Sequence, residues 1–298
     1  MSRMVVYYLH TTIPFCKGEQ MMKRVASIQD ISCLGRCSLT VALPIISAMG
    51  VECAIVPTAV LSTHTMFKNF TVCDLSDQIL PIARHWQDEK LHLDAIYTGY
   101  LASAEQIGDV CAFFDMLKGE DTMIFVDPAM ADHGKLYAGF GPEFPAEMAK
   151  VAARADVVIP NLTEACMLTG AEYREEYDEA YIKDLLHRLV ALGAKQAILT
   201  GISFEAGKVG VMSYDSATGE YFTYFNDKMP VSFHGTGDIF SSVVMGGLMR
   251  GLTMEDALKL AVDYTLECIR VTDKEETWYG VEFERVIPLL CERLKDAE

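Results

Sequence analysis

The chain has 298 residues, 51% of them hydrophobic and 22% charged, enough to build a sizeable core in one large domain or two ordinary ones. Its formal net charge of −17 argues against a nucleic-acid surface, and any phosphate ligand would need local help from amides, a basic side chain or a metal ion. No apolar run reaches the length of a membrane span, and nine irregularly spaced cysteines without a signal peptide suit a reducing cytoplasm rather than a disulfide framework.

Residues 1–20 carry neither a signal-peptide cleavage pattern nor a basic amphipathic transit pattern. They read as an N-terminal extension, with a start at Met21 or Met22 as the alternative. Residues 21–298 show no linker and read as a single domain. Val25–Ile28 predicts a buried strand ending at Gln29-Asp30, and Ile31–Arg36 a loop. Leu39–Met49 predicts a helix with Ser38 as N-cap and Gly50 as stop. Val51–Val56 is a strand, Thr58–Asn69 is polar and loop-like, and Asp74–Gln87 has helical spacing. Leu93–Tyr97 is a strand closed by Thr98-Gly99-Tyr100. Ser103–Lys118 is a helix with Ser103 and Gln106 in capping-box spacing. Thr122–Val126 is a strand that ends in Asp127-Pro128, and Ala129–Pro145 a long loop of the kind that often carries function.

Ala146–Ala153 is a helix, Val157–Ile159 a strand closed by Pro160-Asn161, and Thr163–Leu168 a short helix. Tyr181–Leu192 is amphipathic and Gln196–Thr200 a strand. Val209–Tyr214 and Glu220–Phe225 form a hairpin. Ile239–Arg250, Met254–Arg270 and Val281–Leu294 are helices. This alternation predicts an α/β fold: a three-layer, doubly wound, mostly parallel central sheet with helices on both faces. Ligands of such sheets bind beyond the carboxyl ends of the strands. Asp30, Thr58, Gly99-Tyr100, Asp127, Asn161, Thr200 and Asp238 each follow a strand-like segment, so they should line one edge.

The most telling stretch is Val231–Leu248, in which Gly235-Thr236-Gly237-Asp238 turns into an apolar helix. Glycines let the backbone turn sharply beside a ligand, and the first turn of a helix offers unpaired N–H groups to an anion. A carboxylate at that turn can take a proton from a hydroxyl while the amides hold a transferring phosphoryl group. The plainer reading is a helix start with a glycine turn and an Asp cap.

Further pieces stand in order along the chain: A-S-I-Q (26–29), T-x-x-x-S-x-H-T (58–65), G-Y-L-A-S-A-E-Q (99–106), D-P-A-M-A-D (127–132), G-K-L-Y (134–137) and P-N-L-T-E (160–164). With G-T-G-D (235–238), they resemble the ribokinase-like superfamily and, within it, the pyridoxal/pyridoxamine kinases. The resemblance runs from about Lys23 to Lys295. It implies ATP-dependent phosphorylation of the 5′-hydroxymethyl group of a B6 vitamer. Asp238 would be the base, and Gly235, Thr236 and Gly237 the anion hole. Asp127, Asp132, Asn161, Glu164, Thr200 and Thr236 would lie around ATP, with Asp127, Asp132 and Glu164 near Mg2+. A monovalent cation, usually potassium, and a homodimer are also implied. Thr58, His64 and Tyr100 would surround the substrate ring.

One position departs from the pattern: Asp30 stands where these kinases commonly have Ser. It either pairs with a protonated nitrogen of the substrate or caps the next turn. His64 and Tyr100 could instead serve only the packing of their segments. The alternatives are a hydroxymethylpyrimidine kinase of thiamine synthesis and a catalytically silent vitamer-binding protein.

Overall fold

Alternation along the central strands assigns each side chain to one of two helical layers. The computed structural model describes residues 22–231 and 233–295, so the stretch read as an N-terminal extension lies outside the described residues. In β1 (Arg24–Leu34), Val25 points to one layer, and Ala26 and Ile28 to the other. The same division holds in β4 (Ala95–Thr98), β5 (Met123–Val126), β8 (Val157–Val158) and β9 (Gln196–Ile202).

One layer holds α1 (Leu39–Ala48), α7 (Thr236–Met249), α8 (Met254–Val271) and α9 (Ile287–Lys295). The other holds α2 (Ser76–Asp88), α3 (Ala104–Leu117), α4 (Phe144–Ala152), α5 (Leu162–Thr169) and α6 (Glu179–Leu192). Strands buried on both faces read as near-continuous apolar runs, which is why M-I-F-V and Q-A-I-L stand out in the sequence.

With β2 (Glu52–Thr63), β3 (Val72–Asp74), β10 (Lys208–Asp215) and β11 (Tyr221–Asp227), nine strands among the described residues form one sheet in the order β11-β10-β9-β8-β5-β4-β1-β2-β3. The six from β9 to β2 run parallel; β3, β10 and β11 join antiparallel at the two edges. The expected three-layer, mostly parallel α/β architecture is therefore observed.

Several boundaries differ from the sequence reading. β1 continues through Gln29 and Asp30 to Leu34, and β2 continues through Thr58 to Thr63, where loops were expected. The two strands support each other there: Ile31 pairs with Val60 and Ser32 with Leu61, past a register shift opposite Asp30. Long-range pairing of this kind leaves no local signal in a polar-looking segment. The loop expected over 129–145 contains a small hairpin of β6 (Ala131–Asp132) and β7 (Lys135–Leu136). The last helix expected over Val281–Leu294 is interrupted: a 3-10 turn at Phe283–Arg285 precedes α9. Pro288 explains the restart, because its missing N–H is harmless only in a first helical turn.

Candidate active site

Register brings the predicted residues to one edge. Ile28 pairs with Thr98 and Thr98 with Val126, so Asp30, Tyr100 and Asp127 all lie at the carboxyl end of the central strands. Thr200 meets Asn161 in an isolated bridge just beyond β8. Thr58 is buried in β2 opposite the irregular register at Asp30.

The α7 turn closes this edge. Gly235 caps the helix at φ 83, and a Cβ there would lie 1.9 Å from the Arg36 carbonyl oxygen. No other residue fits this close approach in the left-handed region. The first helical bond is Ile239 N–H to Gly235 O at 3.1 Å, which leaves the Thr236, Gly237 and Asp238 amides without an acceptor inside the helix. Asp238 is half-buried, and burial pushes its carboxyl up to about 7 even though the Ser38 amide donates to it; Asp30 adds to the rise. A carboxyl in that range can alternate between proton acceptor and donor near neutral pH.

Ser38 is a residue that sequence reasoning used differently. It occupies the N-cap position of α1 at φ 51, but its side chain makes no cap bond. Its hydroxyl instead donates to Asp30 while its amide serves Asp238. Cys37 lies beside both carboxylates, and burial first, then Asp238 and Asp30, push its thiol up to about 12.

On the other side of the edge stands an acidic group. Asp127 is buried and accepts a hydrogen bond from Ser241 Oγ at 2.7 Å. Burial, Glu164 and Asp238 together hold its carboxyl far above the usual range. Ser241 and Ser242 are buried serines in an otherwise apolar stretch of α7, which is the signal that could have singled Ser241 out. Glu164 is buried as well, and burial pushes it up to about 7 against three backbone donors. These are Asn161 N–H at 2.9 Å, Met130 N–H at 3.0 Å and Ala131 N–H at 3.4 Å.

Asn161 completes a capping box with Glu164 and donates to the Ala131 carbonyl at 2.8 Å. The P-N-x-x-E segment therefore holds the β5–β6 loop in place as much as it faces the cleft. Asp132 sits on the exposed hairpin and accepts from the His133 amide at 2.8 Å. Among the described residues, no three acidic, histidine or cysteine side chains converge as a ready metal cage.

The substrate-side residues divide. Asp30 is 6% exposed and faces Ser32, Ser38 and His64. His64 is buried, with Nε2–H donating to the Tyr279 carbonyl at 2.8 Å and Nδ1 accepting from the Met66 amide at 3.3 Å. Both nitrogens are committed, so only the ring face and edge remain for a ligand. His234 lies 4.8 Å from it, centroid to centroid, and burial together with His64 lowers its pKa to about 4. Phe67 and Trp278 pack against His64 and against each other. Tyr100 stacks on Phe140 at 5.5 Å, and burial and Asp30 raise its phenol. Of these rings, His64 and Tyr100 were singled out in the sequence as neighbours of the substrate ring; Phe67, Phe140 and Trp278 were not, because they come from segments far apart in the chain.

Comparison with known proteins fits this geometry. The family model described as phosphomethylpyrimidine kinase matches residues 42–281. A protein of Bacteroides thetaiotaomicron, provisionally assigned as a phosphomethylpyrimidine kinase and solved with pyridoxal, is 36% identical with a TM-score of 0.86, covering 90% of this chain and 96% of that one. The pyridoxal kinase of Lactobacillus plantarum is 30% identical with a TM-score of 0.80, at 90% and 96% coverage. A pyridoxal kinase of Dictyostelium discoideum is 27% identical over 246 residues, 77% of this chain and 80% of its own length. The chain therefore belongs to the phosphomethylpyrimidine kinase family of the ribokinase-like superfamily, and it is similar to pyridoxal kinases over most of its length.

Proposed function

We propose that the protein transfers the γ-phosphoryl group of ATP to the 5′-hydroxymethyl oxygen of a B6 vitamer. The observation that carries this reading is Asp238: a half-buried carboxyl near neutrality in the first turn of α7, beside three amides with no helical acceptor. The hydroxyl proton passes to Asp238 as its oxygen bonds to the γ-phosphorus. The bond from that phosphorus to the bridging oxygen breaks, and ADP leaves with the electron pair. The amides of Thr236, Gly237 and Asp238 meet the charge on the transferring group. Asp127, Asp132, Asn161, Glu164 and Thr200 lie on the ATP side, and Thr58, Asp30, His64 and Tyr100 on the ring side.

Mg2+ fits the donor set. Two buried carboxyls lie here: burial and Glu164 hold Asp127 up, and burial with Asp132 raises Glu164, and hard oxygen ligands with retained waters suit that ion. Glu164 already accepts three backbone bonds, so it would serve through a bridging water. Mg2+ would neutralise charge between the phosphates. Potassium, a homodimer and cytoplasmic residence belong to the same proposal. Eight cysteines among the described residues are free, which suits a reducing compartment, and no described helix is long and apolar enough to cross a membrane.

Hydroxymethylpyrimidine is the second candidate acceptor, favoured by the description of the matching family. A silent binder would have no use for a base at the anion turn. ADP release is measured with Mg-ATP and potassium, offering pyridoxal, pyridoxine, pyridoxamine and hydroxymethylpyrimidine in parallel. Turnover with a vitamer that vanishes in Asp238→Ala is the expected outcome. Turnover with the pyrimidine alone moves the acceptor, and binding without ADP release makes the protein a binder.

A further inference from the structure

Arg36 stands where three segments around the cleft meet. Thr40 Oγ1 donates to the Cys37 carbonyl at 2.7 Å and reaches the Gly35 carbonyl at 3.0 Å, which fixes the β1–α1 loop. The Arg36 carbonyl is the group that Gly235 approaches at the anion turn, and a Cβ on Gly35 would lie 2.7 Å from His64 Cδ2. On the third side, the Arg36 side chain meets residues 279–284. Its Nε donates to Glu284 Oε1 at 2.9 Å, and its guanidinium carbon lies 5.6 Å from the centre of the Tyr279 ring. Gly280 packs on the stem so closely that a Cβ there would lie 2.7 Å from Arg36 Cβ. The stretch after α8 is anchored at its far end by the core: Val281 and Phe283 are buried, and Tyr264 OH donates to the Phe283 carbonyl at 3.1 Å. At its near end Thr277 Oγ1 bonds the Asp273 carbonyl at 2.8 Å. Between these anchors, Tyr279 is met by His64 Nε2–H at its carbonyl and by Arg36 at its ring. An exposed ion pair alone would be worth little, and Glu284 is half-exposed. Arg36 is more than that pair: its side chain is 20% exposed, with Nη1 buried, and it packs on a ring and a backbone.

We propose that Arg36 is a positioning residue for the ring side of the cleft: clamped by Glu284, it holds Tyr279 against His64 and so fixes the ring of His64 that the substrate meets. The identity of that substrate rests on the kinase reading above; the clamp does not. The Met66 amide donates to His64 Nδ1, so the ring proton sits on Nε2 and needs an acceptor. The Tyr279 carbonyl is that acceptor, at 2.8 Å. Without the clamp the carbonyl is free to drift. A buried N–H without a partner is costly, so the imidazole would turn to find another. The anion turn is spared, because Arg36 meets Gly235 through its backbone carbonyl and not through its side chain. Loss of the guanidinium should therefore loosen the ring side and leave the phosphate side in place.

The test compares the wild-type protein with Arg36→Gln and Glu284→Gln, the second at a half-exposed position where folding is not at stake. Imidazole signals of histidine-labelled protein are read by NMR without ligand. Wild-type His64 should show one tautomer with a slowly exchanging Nε2–H. Both variants should broaden or shift that signal and speed its exchange. Pyridoxine and Mg-ADP affinities are then measured by calorimetry. Pyridoxine should bind about tenfold more weakly to Arg36→Gln, the scale of re-ordering one or two loosened side chains on binding, and Mg-ADP within twofold of wild type. The double variant should be no weaker than Arg36→Gln alone, because the two side chains act as one unit. Unchanged pyridoxine affinity in both variants overturns the proposal. So does an unaltered His64 signal beside weakened binding, or equal weakening of pyridoxine and Mg-ADP, which would mark a merely structural role. If the wild type binds no vitamer, the kinase reading fails, and the His64 signals of the two variants still decide whether the clamp exists.

Discussion

Asp238 sets the residue-scale expectations. A base works in its unprotonated form, so kcat/KM of the free enzyme should fall as pH drops below about 7. Asp238→Ala should lower kcat by roughly 10²–10⁴-fold while Mg-ATP still binds; a loss below about tenfold in a stopped ADP assay would remove it as base. Ser241 offers a second test. Ser241→Ala deprives buried Asp127 of its one side-chain donor, bonded at 2.7 Å, and should raise the Mg2+ concentration needed for half-maximal turnover. The placement of the two carboxyls was legible. Asp127 and Asp238 follow strand ends and stand in turn signals that the chain displays openly. The partners of Ser38 and His64 were not, because a side chain's partner across the fold leaves no trace in its sequence neighbours. Ser38 turns away from the helix it precedes, and His64 spends both nitrogens on backbone groups.

At the scale of elements, the turn before α7 makes contrasting predictions for its two glycines. Gly235→Ala would force a Cβ to 1.9 Å from the Arg36 carbonyl at a positive φ. It should lower the melting temperature by several degrees and abolish turnover together. Gly237 has no atom within 4 Å of an added Cβ, and it is exposed at the cleft. Gly237→Ala should leave the free protein's melting temperature near that of the wild type and raise the KM for ATP or lower kcat. Equal destabilisation by both would show that the turn is only structural.

Elements with their own local signals were predicted close to where they lie, among them α3 with its Ser103 cap and the hairpin of β10 and β11. The far halves of β1 and β2 were missed, since Ile31–Leu34 and Thr58–Thr63 become strands by pairing with each other and, in β2, with β3.

The whole molecule should show an inverted response to pH. Asp238 and Glu164 are each pushed up to about 7, and Asp127 lies above its ordinary range. Their folded state binds more protons than the unfolded chain between about pH 4 and pH 7, so stability falls as pH rises through that window. Asp94 and Asp156 act in the opposite sense. In both, burial is outweighed by lysines and backbone amides, and the stability they contribute is lost only as pH falls below the ordinary carboxylate range. The free protein should therefore melt higher at pH 5.5 than at pH 7.5, and Mg-ATP should narrow the gap by stabilising the charged cluster. A melting temperature that climbs from pH 5.5 to 7.5 without ligand would contradict the buried-carboxyl arrangement.

The antiparallel edge gives the molecule a handle. Gln196 at the start of β9 pairs with Asp215 at the end of β10, which puts the turn over 216–219 at the opposite end of the sheet from the cleft. Ser216 anchors its base to the Lys195 carbonyl, and the residues after it are exposed. A dye, affinity tag or surface tether spliced between Ala217 and Thr218 would immobilise the enzyme with its nucleotide side facing the bulk solution.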